Sequence, residues 1–156
     1  MLSKILSSAI IGIDAYIVEV EVDISPGLPV FSTVGLPDNA VKESKDRVKA
    51  AIKNSGYEFP AMRITVNLAP ADIKKEGTSF DLPVSIGILA AQKLFKTDNL
   101  NQCLIVGELS LNGDIKPIKG ALSMAIAAKT LGLKGIILPE ENAEEERHRH
   151  AMQHVE

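Results

Sequence analysis

The 156 residues, 46% hydrophobic and 24% charged, suffice for one soluble domain with a real core. A formal charge of −3 conceals an acidic tail, because up to Leu138 the chain carries 15 basic and 14 acidic residues, and that near balance argues against a self-sufficient nucleic-acid binder. No run of about 18 apolar residues offers a membrane span, the first residues do not read as a signal peptide, and one cysteine, Cys103, excludes an internal disulfide and suits a reducing, cytoplasmic setting.

In chain order, residues 6–12 predict a strand, and 15–23 a second whose apolar and acidic residues alternate, leaving one face wet. Ser25-Pro26-Gly27 turns the chain into a third strand over 29–34, and the three are expected to form an antiparallel meander. Asp38 is placed to cap a helix over 39–54 that buries Val41, Val48, Ala51 and Ile52. Its other face carries Lys42, Lys45, Arg47, Lys49 and Lys53, which reads as solvated surface. Gly56 ends that helix, and a strand over 62–68 follows. A helix over 82–95, apolar nearly all round, is expected to be the most buried, with Gly87 admitting a neighbouring strand. Beyond it come a buried strand over 103–109, an Asn112-Gly113 hairpin signal, a strand over 115–118, a helix over 121–131 and a strand over 135–139. The order β-β-β-α-β-α-β-β-α-β predicts an α+β domain, a mixed β-sheet packed with helices.

The segment Asp72-Ile73-Lys74-Lys75-Glu76-Gly77-Thr78-Ser79-Phe80-Asp81-Leu82-Pro83 carries the chemistry, since it sets a serine at the mouth of an apolar helix. Unpaired N–H groups gather there, so Ser79 can be a cap, an anion contact or a nucleophile. Thr78 and Asp81 are equally able caps, and Pro83 suits a first turn. A nucleophilic serine needs a base. The three histidines, His148, His150 and His154, all lie in the last nine residues, so only a serine–lysine pair stays open. No Gly-Lys dipeptide occurs, which removes the phosphate-cradling loop of nucleotide hydrolases from this chain. No CxxC or HExxH spacing assigns a metal, and Asp72, Glu76 and Asp81 are too generic for a glycosidase pair.

Three stretches carry a resemblance: 67–89 (NLAPADIKKEGTSFDLPVSIGIL), 34–44 (VGLPDNAVKES) and 106–113 (VGELSLNG). Together they resemble the N-terminal domain of the ComM/YifB family of magnesium-chelatase-like AAA+ ATPases, over residues 1–143, with 144–156 a polar tail that departs from the pattern. The resemblance implies a ribosomal protein S5 domain 2-like fold, shared with the proteolytic domain of Lon. It also implies that an ATPase module using ATP and Mg2+ would follow, in a protein that assembles as a homo-oligomer, a hexamer. For this domain itself it implies no cofactor and no metal.

Lon pairs a serine in a Lys-Asp-Gly-Pro-Ser loop with a lysine in a Gly-Gly-Leu-Lys stretch. Lys75-Glu76-Gly77-Thr78-Ser79 is similar to the first, so Ser79 takes the nucleophile's place. Gly120-Ala121-Leu122-Ser123 is similar to the second, and there Ser123 replaces the lysine. In the family pattern alanine usually stands where Ser79 does. Lys129 lies six positions beyond Ser123, about 120° round a helix, and Lys119 precedes the helix start and would sit about 6 Å back along the axis from Ser123 if the helix reached it. Neither is a ready base. The expectation is therefore a non-catalytic accessory domain that supports assembly or DNA engagement by the ATPase in DNA processing or natural transformation, with Lys74, Lys75, Lys116 and Lys119 as candidate contacts to DNA or a partner. The alternative is a Lon-like serine hydrolase using Ser79 with another base.

Overall fold

Alternation along the first two strands divides the molecule into two cores. In the computed structural model, which describes residues 1–144, β1 (Leu2–Ile11) and β2 (Asp14–Ser25) pair antiparallel from Leu2 opposite Asp23 to Ile11 opposite Asp14. Successive side chains of a strand point to opposite faces. Ile5 and Ala9 of β1, with Val18, Val20, Val22 and Ile24 of β2, therefore enter one core, while Leu6, Ile10, Ala15 and Ile17 enter a second on the reverse face.

The remaining elements are β3 (Val30–Val34), α1 (Asn39–Asn54), β4 (Arg63–Ala69), α2 (Asp81–Ala91), β5 (Cys103–Ile105), β6 (Glu108–Leu109), β7 (Ile115–Lys116), α3 (Ala121–Thr130) and β8 (Gly135–Ile137). Six strands form one mixed sheet in the order β3-β4-β2-β1-β5-β8, and β6 and β7 pair separately. The first core is filled by α1 and α2 (Val41, Val48, Ala51, Ile52, Leu82, Val84, Ile88), the second by Met124 and Ala128 of α3 with Leu104 and Val106. The domain is α+β, as expected, with helices on both faces of the sheet.

Three details differ from the sequence reading. The first three strands are not a meander: β3 leaves β2 and pairs parallel with β4, which itself pairs antiparallel with β2. The cause is α1, because a strand, a helix and a strand joined in that order return the second strand parallel to the first. The strand expected over 103–109 breaks at Val106-Gly107. There the Gly107 N–H is given to Ser79 O and its carbonyl takes the Leu82 N–H, both at 3.0 Å, so Gly107 is spent on the entrance of α2 rather than on a ladder. The helix expected to reach 95 stops at Ala91, where the Lys93 N–H bonds back to Ala90 O and Lys93 turns into the left-handed region at φ 58°.

Two expectations hold closely. Asp38 caps α1, accepting from Val41 N at 2.8 Å. Gly87 lies against β2, where a Cβ would stand 2.6 Å from Val22 Cγ2, and the Ser3 hydroxyl donates to its carbonyl at 2.6 Å. No helix among the described residues is long and apolar enough to cross a membrane. The histidines of the tail lie outside the described residues.

Candidate functional site

The mouth of α2 opens on a cleft of about 1020 Å³. Its walls come from the 76–79 loop, the start of α1 (Asp38, Ala40), the end of β1 with its turn (Ile10, Gly12, Ile13), Glu108 of β6, and the run from Pro117 to Met124 that opens α3. Ser79, Ser123 and Lys119 all line this one space, so the fold brings together the two serines expected, from the resemblance to Lon, at the dyad positions.

Neither serine is engaged with a lysine. Among the described residues the hydrogen bonds and ion pairs of lysine ammonium groups are Lys75 Nζ to the Pro70 carbonyl, Lys4 to Glu19 at 3.6 Å and Lys74 to Glu76 at 3.7 Å. The Ser123 hydroxyl donates to Ile13 O at 3.1 Å, which fastens α3 to the β1–β2 turn. Asp38, Glu76 and Glu108 line the cleft together with Lys119, so carboxylates outnumber ammonium groups there.

Capping does not explain Ser79. Phe80 occupies the cap position of α2 with no side-chain hydrogen bond, and backbone groups serve the entrance instead: Leu82 N–H to Gly107 O at 3.0 Å and Asp81 N–H to Thr78 O at 3.3 Å. Pro83 brings no N–H. An anion would find these donors occupied, which removes the phosphate reading of this helix mouth.

Asp81 does something the sequence reading missed. Its carboxylate is fully buried, accepts from Arg47 Nε at 2.7 Å and Nη2 at 3.1 Å, and accepts from Leu109 N at 3.1 Å. Arg47 also donates to Ala40 O at 3.2 Å. The hydrogen bond to Asp81 raises the guanidinium's already high pKa, with burial opposing it. Arg47 is thus a tie between α1, α2 and β6 behind the cleft, not one more cation on a wet face. A signal was available: an acid within a helix that is apolar all round needs a counter-charge.

Of the four lysines expected to be contacts, three are exposed: Lys74, Lys116 on β7, and Lys119 on the rim of the cleft. Lys75 is a correction. It is completely buried and donates to Pro70 O, so its ammonium cannot meet a phosphate. The backbone explains why: Lys75 N bonds to Leu36 O and Asp38 N to Lys75 O, both at 2.9 Å, which stitches the loop against the start of α1 and turns the side chain inward. The Asp38 carboxylate adds a bond from Gly77 N at 3.3 Å.

Burial pushes the Lys75 pKa below its ordinary 10.5, with Asp72 partly opposing. At pH values below the folded pKa both states carry the proton and the penalty is complete. As pH rises through the folded pKa toward 10.5, the native state sheds a proton that the unfolded chain keeps, so stability increases. The midpoint of urea unfolding is therefore expected to rise in that window relative to Lys75→Met, which lacks the titration. Parallel pH profiles of the two proteins would refute this.

Among the described residues no group of three or more His, Cys, Asp or Glu side chains is placed to hold a metal ion. The fold defines a Lon-like α+β domain, and the cleft brings Ser79 and Ser123 together in it. The chain belongs to the family described as subunit ChlI of Mg-chelatase, whose model matches residues 20–142. It is 47% identical to the uncharacterized protein YifB of Salmonella typhimurium and 44% identical to the competence protein ComM of Haemophilus influenzae, in each case over 144 residues, 92% of this chain and 28% of the relative. Lon protease 2 of Bacillus subtilis is 34% identical over 101 residues, 65% of this chain and 18% of that protein. The chain thus spans about 28% of the length of its YifB and ComM relatives.

Proposed function

We propose that this chain is a non-catalytic accessory domain of a magnesium-chelatase-like AAA+ ATPase, supporting the assembly of that ATPase or its engagement of DNA. The observation that carries the reading is the cleft: Ser79 and Ser123 share it, Ser123 is spent on Ile13 O, and no lysine ammonium is bonded to either. A serine hydroxyl without an adjacent base is a weak nucleophile. The name of the competence protein ComM supports a role in DNA processing or natural transformation. ATP and Mg2+ would be used by a module beyond these residues, and the working unit would be a cytoplasmic homo-oligomer, a hexamer. Lys74, Lys116 and Lys119 are the exposed cations proposed to meet DNA or the partner.

Deleting this domain from the longer protein is expected to shift its oligomeric state in sedimentation or its affinity for branched DNA. If both are unchanged, the role is wrong. One observation favours a second reading, a serine hydrolase: Lys119 lines the same cleft as Ser79. Incubation with an unfolded protein substrate separates the two, since the accessory reading expects no cleavage beyond that of Ser79→Ala. Cleavage that Ser79→Ala and Lys119→Met each abolish would install the hydrolase instead.

A further inference from the structure

The solvated face of α1 is more ordered than a scatter of cations. At about 100° per residue, Lys42, Lys45, Lys49 and Lys53 fall within an arc of about 80° and span about 16 Å of helix axis. All four are exposed. None is among the ion pairs of the described residues, which use Lys4, Lys74, Arg47 and the N-terminus. Glu43 is drawn to Arg47 at 3.9 Å, which leaves Asp46 as the one carboxylate of α1 beside the row.

The second observation is independent of charge. At the C-terminal half of the row a groove of about 210 Å³ opens between α1 and the β3 edge, lined by Pro29, Val30, Phe31, Phe59 and Pro60 together with Lys49 and Lys53. The rings of Phe31 and Phe59 stack with centroids 6.0 Å apart and planes 12° apart, and Lys49 Nζ stands 5.7 Å from the Phe59 centroid. Both rings are half-buried and packed against the core. Aromatic and proline surface beside a line of ammonium groups outside any ion pair is the composition that holds an unstacked base while its backbone follows the cations.

We infer that the Lys42–Lys45–Lys49–Lys53 row and the Phe31–Phe59 groove form a binding surface for single-stranded nucleic acid, with phosphates along the lysines and one base against the rings. Neighbouring lysines three or four apart stand about 5–6 Å apart at Cβ, so each flexible arm reaches a different phosphate of one backbone. An acidic peptide would satisfy the lysines but leave the groove without a ring to stack. A duplex would keep its bases out of the groove. The inference rests on the DNA-engagement branch of the proposed function but places the contact on α1, away from Lys74, Lys116 and Lys119.

The test is a fluorescence-anisotropy titration of the 156-residue chain against a labelled twenty-nucleotide oligothymidylate at several salt concentrations. Four phosphate contacts predict a slope of log affinity against log salt of about −3. Lys49→Glu combined with Lys53→Glu is expected to weaken binding at low salt by about tenfold or more and to reduce the slope by about 1.4. Phe59→Leu, which keeps an apolar side chain in place, is expected to weaken oligothymidylate binding by about fivefold or more with the slope unchanged. Thermal unfolding curves matching the parent confirm that the variants are folded.

No binding by the parent chain at low salt overturns the inference, as does binding that the α1 variants leave intact. If Lys74→Glu with Lys116→Glu and Lys119→Glu abolishes binding while the α1 variants do not, the α1 surface is wrong and DNA engagement stands. Displacement of the oligonucleotide by oligoglutamate at equal charge concentration would show a general polyanion surface and overturn the nucleic-acid assignment.

Discussion

Replacing Arg47 with methionine is expected to destabilise the domain by about 3 kcal/mol, in the range found when one partner of a buried ion pair is removed. The reason is the carboxylate left behind. Asp81 is fully buried and would keep one donor, the Leu109 N–H at 3.1 Å, in place of three. Arg47 retains some contact with solvent, which sets the figure near the lower end of that range. For a domain of this size a loss of 3 kcal/mol lowers the thermal midpoint by about 6–12 °C.

The sign of the coupling is the sharper expectation. Asp81→Asn removes the charge but keeps an oxygen for Leu109 N, so the double variant Arg47→Met with Asp81→Asn should recover more than half of what Arg47→Met loses. A double-mutant cycle in urea measures this directly. Strictly additive losses would mean that the stranded charge is not the source of the cost. Because this pair joins α1, α2 and β6, the loss should also loosen the cleft, read as faster amide exchange at Leu109 and Gly107.

Arg47 shows where sequence reading stops. The helix that carries it was legible from Asp38 to Gly56, because a cap, a period of 3.6 and a glycine stop are local signals. Which of its five cations turns inward is a property of α2, a partner 34 residues away, and no local pattern contains it. The same limit applies to Lys75, expected as a contact to DNA or a partner, yet drawn inward by the two backbone bonds to Leu36 and Asp38. The placing of Ser79 and Ser123 on one cleft was reachable only through resemblance to Lon, since spacing of 44 residues says nothing about proximity. The β3–β4 pairing, by contrast, is legible in the element order: a strand, a helix and a strand in succession is the crossover unit, and it outweighs the turn signal at Ser25-Pro26-Gly27.

The loop that carries Lys75 and Ser79 depends on one further residue, and Gly35→Ala is expected to be as damaging as the loss of Arg47. Gly35 follows β3 directly and adopts φ 102°, a conformation that L side chains rarely take. A Cβ there would lie 2.2 Å from Leu68 O and 3.0 Å from Leu68 N, both backbone atoms of β4, so no side-chain rotation relieves the clash. Strain at such a backbone angle costs about 1–3 kcal/mol and overpacking a further 1–3 kcal/mol, giving a total of about 3 kcal/mol or more. Relief requires the β3 end to move away from β4, and Leu36 and Pro37 move with it. Leu36 O is the acceptor for Lys75 N, and Asp38 N donates back to Lys75 O, so the displacement passes to the loop and the mouth of α2. Gly35→Ala should therefore lower the thermal midpoint by about 6–12 °C and also make the 70–79 segment a new site of limited proteolysis. Gly77→Ala is the comparison: φ is 90° there but a Cβ would meet nothing within 4 Å, so backbone strain alone should cost less. Equal losses from the two substitutions would show that the approach of Gly35 to Leu68 is not what holds the loop in place.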